Sequence, residues 1–280
     1  MKLRIIFIAV VFILSSCNES RTATGNQTVI DLSSFGSVNM IKEIGGDIYV
    51  LNSTASAIHK LSRDSLSIFR DLEIGGRDFL LDFDIEGDKV YYSNTYDEIF
   101  ISSGSAIEDT ISVFNPDRIA VIDSLLFVTS RKPEDENVLL KLYDIKSKKE
   151  ISCIPLNDSP VTDIKFAQVA ISEVQGGIWL ANPFRSKLER YNDELKVVSS
   201  IDLPQDYEYG NFSLSEAGII MLATKVNEVF LFFIKSDKPE IIRERSINSL
   251  STDIRTSCIA KGKVLLYDFI NSSIIINLTK

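Results

Sequence analysis

The stretch GGDIYVLNSTASAIHKL, Gly45 to Leu61, reads as a tight glycine turn, a strand, a polar corner and a second strand. Something like it recurs along the chain. The apolar lead residue after each turn is followed four places on by a short polar side chain: Ile48 by Asn52, Val90 by Asn94, Leu125 by Thr129, Ile178 by Asn182, Ile220 by Thr224 and Val264 by Asp268. Turn signals precede the runs, at Gly45-Gly46-Asp47, Gly87-Asp88, Asp123-Ser124, Gly176-Gly177, Ala217-Gly218 and Lys261-Gly262. The lead residues are spaced by 42, 35, 53, 42 and 44. A period near 40 to 45 residues, built of short strands and glycine turns, is the mark of a β-propeller blade.

The rest of each unit agrees. An apolar segment precedes each run: 38–44, 79–85, 118–122, 168–174, 210–214 and 254–260. A third follows it: 57–61, 98–101, 138–143, 187–191, 228–234 and 273–278. A fourth is present in five units, at 66–72, 110–114, 150–154, 195–203 and 240–247, but the sixth unit runs out at Lys280. The leftover strand Thr28–Leu32, TVIDL, fits that gap, so the expected fold is all-β: a six-bladed propeller of four antiparallel strands per blade. The N-terminal strand closes the ring by pairing with the last blade, which removes an exposed edge. Asn157–Lys165 reads as an enlarged loop. The polar residue ending each run is expected to bond the backbone just beyond it and start a turn. The aromatics Tyr49, Tyr91, Phe127 and Trp179 are expected to fill the wedge between blades.

The N-terminus, MKLRIIFIAVVFILSSC, has a short positive region, an apolar run of ten and small residues before Cys17. This is the layout of a secretory signal peptide, and Leu14-Ser15-Ser16-Cys17 resembles the lipobox of bacterial lipoproteins. The resemblance implies cleavage before Cys17 and acylation of its thiol, which anchors the chain because each buried methylene contributes about 0.8 kcal/mol. The expected organisation is a signal peptide and lipobox over 1–17, a polar flexible tether over 18–27 and the propeller over 28–280. Asn18 is not the aspartate associated with inner-membrane retention, so the expected location is the cell envelope, at the outer membrane.

The net charge is −9, with no Lys/Arg cluster, which argues against a nucleic-acid partner. Cys153 and Cys258 fall in apolar runs of different repeats and read as buried unpaired thiols.

The segment Gly75-Gly76-Arg77-Asp78-Phe79, followed by Leu81-Asp82-Phe83-Asp84-Ile85 and Gly87-Asp88-Lys89-Val90-Tyr91, is similar to the six-bladed propeller lipoproteins of Gram-negative bacteria, related to the NHL and TolB-like propellers. The loop lacks that group's proline and second glycine, while the hairpin is kept in units one and two. The resemblance implies a fold and an envelope location. It implies little about chemistry, because propellers host unrelated functions.

The chain has one histidine, His59, and no GxSxG motif, so a Ser-His-Asp hydrolase has a single candidate base. Glu43, Asp82, Asp84, Glu173 and Asp253 lie in or beside inner strands without a consistent phase. A calcium ion in the channel, serving a metal-dependent hydrolase or lactonase, is the alternative they leave open. The leading expectation is a non-enzymatic binding or scaffolding protein with no cofactor. It would present one propeller face to a carbohydrate, peptide or protein partner, through Arg77, Asp78, Asn94, Arg118, Arg131, Asn182, Arg185, Tyr209, Asn211 and Arg255. Arginines among aromatics and amides suit a polar ligand.

Overall fold

The structure is a computed structural model that describes residues 27–62, 65–71, 80–132, 137–158, 170–174, 176–215, 218–225, 228–235, 240–246, 254–260 and 263–278. Cys17, the tether before Gln27, Arg77, Asp78, Asp253 and most of the Asn157–Lys165 loop lie outside the described residues. Asn211 and Arg255 are described for their backbone alone.

The described residues form strands and turns without a helix. The first strand is β1 (Gln27–Asp31). Blade one is β2 (Val38–Ile44), β3 (Asp47–Asn52), β4 (Ala57–Ser62) and β5 (Ser65–Asp71). Blade two is β6 (Leu80–Glu86), β7 (Lys89–Asn94), β8 (Glu98–Ser102) and β9 (Asp109–Ser112). Blade three is β10 (Pro116–Ile122), β11 (Leu125–Lys132), β12 (Asn137–Asp144) and β13 (Lys149–Pro155). Blade four is β14 (Ala170–Val174), β15 (Gly177–Asn182), β16 (Lys187–Asn192) and β17 (Val197–Asp202). Blade five is β18 (Glu208–Ser215), β19 (Gly218–Lys225), β20 (Glu228–Lys235) and β21 (Glu240–Ser246). Blade six is β22 (Ile254–Ala260), β23 (Lys263–Asp268) and β24 (Ser273–Leu278), with β1 as its outermost strand. The six sheets are antiparallel throughout, and β1 pairs with β24 from Gln27↔Asn277 to Asp31↔Ser273. The expected ring closure is therefore present.

The first strands of successive blades touch in an unbroken cycle, β2 to β6, β10, β14, β18, β22 and back to β2. They wall the central axis. Each second strand is covered on both faces by neighbouring blades, which is why it reads as a near-continuous apolar run. In β7, Val90 and Tyr92 enter the core between blades one and two, while Tyr91 enters the core between two and three. Six such cores fill the six blade interfaces.

Tyr49, Tyr91, Phe127 and Trp179 are all buried there, as expected. Cys258 is buried, but Cys153 is exposed. That expectation is corrected: β13 is an outermost strand with one face to solvent.

The lead residues of units three and five are shifted in phase. Every first hairpin has a two-residue turn, closed by Ile44↔Asp47, Glu86↔Lys89, Ile122↔Leu125, Val174↔Gly177, Ser215↔Gly218 and Ala260↔Lys263. Counted from these turns, the corner residue is Ser130 rather than Thr129 in blade three and Ala223 rather than Thr224 in blade five. Both central residues have positive φ at Gly45-Gly46 and at Asp123-Ser124, which matches the twist of the flanking strands.

Ring closure rests on Ile30 and Ile274, which are buried together with blade one's Val38 and Val50. Ile30→Ala and Ile274→Ala should each lower the unfolding free energy by about 2–5 kcal/mol in urea titrations. The exposed Ile68→Ala should change it by no more than about 0.5 kcal/mol.

Candidate functional site at the channel wall

An innermost strand pairs on one side only, so its other edge presents N–H and C=O groups to the axis. These groups need partners. Side chains of the preceding blade supply them. Asp82 Oδ2 accepts the Ile119 N–H at 2.9 Å, and Asp84 Oδ2 accepts the Val121 N–H at 2.7 Å. Thr256 Oγ1 accepts the Ile41 N–H at 3.1 Å. Asp82 and Thr256 hold equivalent places, opposite Ser93 and Tyr267 in their hairpins, and each reaches the equivalent N–H of the next blade.

Lys42 joins three blades at this level. Its Nζ lies 3.0 Å from Asp82 Oδ1, and it donates to the Phe83 carbonyl at 2.7 Å and the Ile119 carbonyl at 3.1 Å. All three ammonium protons are thereby engaged, and Asp82 is fully buried while Lys42 keeps 16% of its side chain exposed. Asp84 is buried two residues along from Asp82. Desolvation pushes its carboxyl up to about 6, against the pull of Lys42 and the N–H groups of Val121 and Ile85. The wall thus holds a fixed cation beside a carboxyl that titrates close to neutrality.

Among the described residues, one end of the axis carries a β-bulge in five inner strands. Register breaks around Asn39, Leu81, Asp117-Arg118, Gly210-Asn211 and Arg255. Bulges re-aim side chains. Asn39 Nδ2 donates to the Leu80 carbonyl at 2.7 Å, and Arg118 Nη1 to the Leu81 carbonyl at 3.0 Å. Three of the sequence-selected residues, Arg118, Asn211 and Arg255, therefore stand at equivalent bulges around this mouth.

The others are placed as follows. Asn94 and Asn182 are buried corners whose Oδ1 atoms accept the N–H of Tyr96 at 2.8 Å and of Phe184 at 3.1 Å. Asn182 Nδ2 also donates to the Leu156 carbonyl and Glu189, both at 3.0 Å. Arg185 pairs with Asp158 at 2.8 Å, a contact that raises its pKa. Tyr209 is buried between blades four and five, and its hydroxyl donates to the Pro204 carbonyl. The half-buried Arg131 donates its backbone N–H to the Asn115 carbonyl at 3.3 Å. Asn94 is the strand partner of Leu80, and Arg118 bonds the Leu81 carbonyl from the next blade; no described contact joins the two side chains. His59, in blade one's third strand, packs against Phe35 with ring centroids 4.5 Å apart, and burial lowers its pKa.

A divalent cation does not fit the described wall. Among the described residues no three His, Cys, Asp or Glu side chains group together. Asp82 and Asp84 are already engaged by backbone N–H groups, with the Lys42 ammonium beside them.

No protein-family model matches the chain, and no curated protein does. Solved structures do. The chain is similar to a streptogramin B lyase, with a TM-score of 0.56 and 16% identity, over 90% of this chain and 87% of that one. It is also similar to the virginiamycin B lyase of Staphylococcus aureus, with a TM-score of 0.56 and 11% identity, over 90% of this chain and 99% of that one. At these identities the likeness is one of fold. Both neighbours are named as enzymes, which overturns the expectation of a non-enzymatic binding or scaffolding propeller.

The buried Asp84 sets a pH dependence. Its carboxyl binds protons more tightly folded than unfolded, so its contribution to stability is greatest below about pH 4 and is lost as pH rises through about 6. The loss is about 3 kcal/mol for a shift of roughly two units. Asp84→Asn should flatten the wild-type decline in urea stability between pH 4 and 7, and an equal slope in both proteins would refute this.

Proposed function

We propose that this chain is an enzyme that cleaves a carbon–oxygen bond of an ester or lactone at the channel wall. The observation that carries the reading is the Lys42–Asp82–Asp84 cluster, where strands of three blades converge on one fixed ammonium and one carboxyl held near neutrality. Ionised Asp84 takes a proton. In hydrolysis it comes from the attacking water and passes to the departing oxygen as the acyl–oxygen bond breaks. In elimination it comes from the carbon next to the one bearing oxygen, and a double bond forms as the oxygen leaves. The Lys42 ammonium, held by Asp82 and two carbonyls, acts as a fixed positive charge facing the negative charge that develops on oxygen. The likeness in fold to two lyases supports the enzymatic reading. We further propose that the enzyme is an envelope lipoprotein held at Cys17, probing substrates outside the cytoplasm.

The test is turnover of a panel of esters and lactones by the purified chain, read by product mass. A product that gains water marks hydrolysis, and one that does not marks elimination. Lys42→Met and Asp84→Asn should lower the rate by about 100-fold or more, and a chelator should leave it unchanged. Wild-type rates in both folded variants would overturn the assignment.

A further inference from the structure

One backbone stitch occurs twice in the ring with different chemistry. In blade two, Asp82 Oδ2 accepts the Ile119 N–H at 2.9 Å, and in blade six, at the equivalent place, Thr256 Oγ1 accepts the Ile41 N–H at 3.1 Å. Both side chains are fully buried. The stitch therefore needs an acceptor oxygen and no charge. Burying a carboxylate is costly where a hydroxyl serves, so the charge of Asp82 answers to something other than the strand edge.

What differs between the two places is Lys42. Counted from the hairpin turns, the place that Lys42 holds in the blade before Asp82 is held by Ser213 in the blade before Thr256. The Lys42 Nζ lies 3.0 Å from Asp82 Oδ1 and donates to Oδ2 at 3.1 Å. Asp82 Oδ1 also accepts the Phe83 N–H at 2.9 Å, which fixes the carboxylate on its own strand. Asp84, two residues along, feels the same cation. Among the described ion pairs, however, Lys42 pairs with Asp82, and Asp84 has no cation partner. The charged or titratable groups facing Asp84 are Lys42 from β2, Asp82 from its own strand and Tyr91 from β7, while β10 meets it with the Val121 N–H.

We propose that Asp82 is a positioning residue, whose charge fixes the Lys42 ammonium and keeps it from pairing with Asp84, a role that rests on reading the wall as an enzyme's site. Lys42 is then held where charge develops on the substrate oxygen, and Asp84 is left able to take and return a proton.

Asp82→Thr tests this directly, because it installs the blade-six acceptor and removes the charge. Asp82→Asn, which keeps the shape and one acceptor oxygen, serves if Asp82→Thr does not fold. In both, the Ile119 amide should keep its protection from hydrogen exchange, since the stitch remains. The Lys42 ammonium protons should exchange about tenfold faster. The Asp84 carboxyl should titrate lower than in the wild type, because a like charge is gone and the ammonium is free to pair with it. Where an ester turns over, kcat should fall about tenfold with KM held, and the acidic limb of the rate profile should move to lower pH. Unchanged Lys42 exchange, or an Asp84 titration at the wild-type pH, in the folded variants would overturn the assignment and leave Asp82 as a stitch alone. These resonances need no substrate. The expected shifts without turnover of any ester would uphold the anchoring of Lys42 by Asp82 and sink the enzymatic reading. Wild-type turnover in the folded variants would do the reverse.

Discussion

The fold depends on satisfying the free edges of six innermost strands. A propeller blade pairs its first strand on one side only, and the other side meets the axis, where backbone N–H and C=O groups cannot be left bare at little cost. Here the answer is local and chemical. Carboxylates at Asp82 and Asp84 and the hydroxyl of Thr256 take N–H groups from the next blade. Lys42 takes the carbonyls of Phe83 and Ile119. Charged groups are therefore placed on the axis by a structural need, and burial then shifts the titration of Asp84. The groups that stitch the blades are the same ones on which the proposed chemistry rests.

This coupling explains the asymmetry of the ring. Blades one to three carry the charged stitches. The positions equivalent to Lys42 and Asp84 are Ala120 in blade three and Cys258 in blade six, each opposite the second residue beyond the first of its second strand. Those blades offer no ionised group there. Among the described side chains, the charged stitches thus lie in one sector of the ring.

Much of the fold was legible. The strands β2, β22 and β24 match the apolar segments read from the chain, and the pairing of the N-terminal strand with the last blade followed from counting strands. The phase of units three and five was not legible. In unit three the apolar Leu125 closes the turn itself and reads as the lead residue, and in unit five Gly218 already closes the hairpin, so the lead is Ile219 rather than Ile220. The carboxylates were compared only with Glu43, Glu173 and Asp253, with which Asp82 and Asp84 share no phase; counted from the hairpin turns, Asp84 falls in register with Lys42, and Asp82 with Thr256 and Arg118. Lys42 was missed altogether, although a lysine between Ile41 and Ile44 in an inner strand was a usable signal. What the sequence could not display is which carbonyls its ammonium reaches, because those belong to two other blades.

The measurement that bears most directly on the channel wall is a titration of the Asp84 side-chain carboxyl by carbon NMR in the full chain. A single step near pH 6 in the folded protein, moving higher in Lys42→Met as the neighbouring cation is lost, is the predicted result. A carboxyl that titrates in the ordinary aspartate range, indifferent to Lys42, would show that Asp84 is only a stitch between blades and is not an acid–base group.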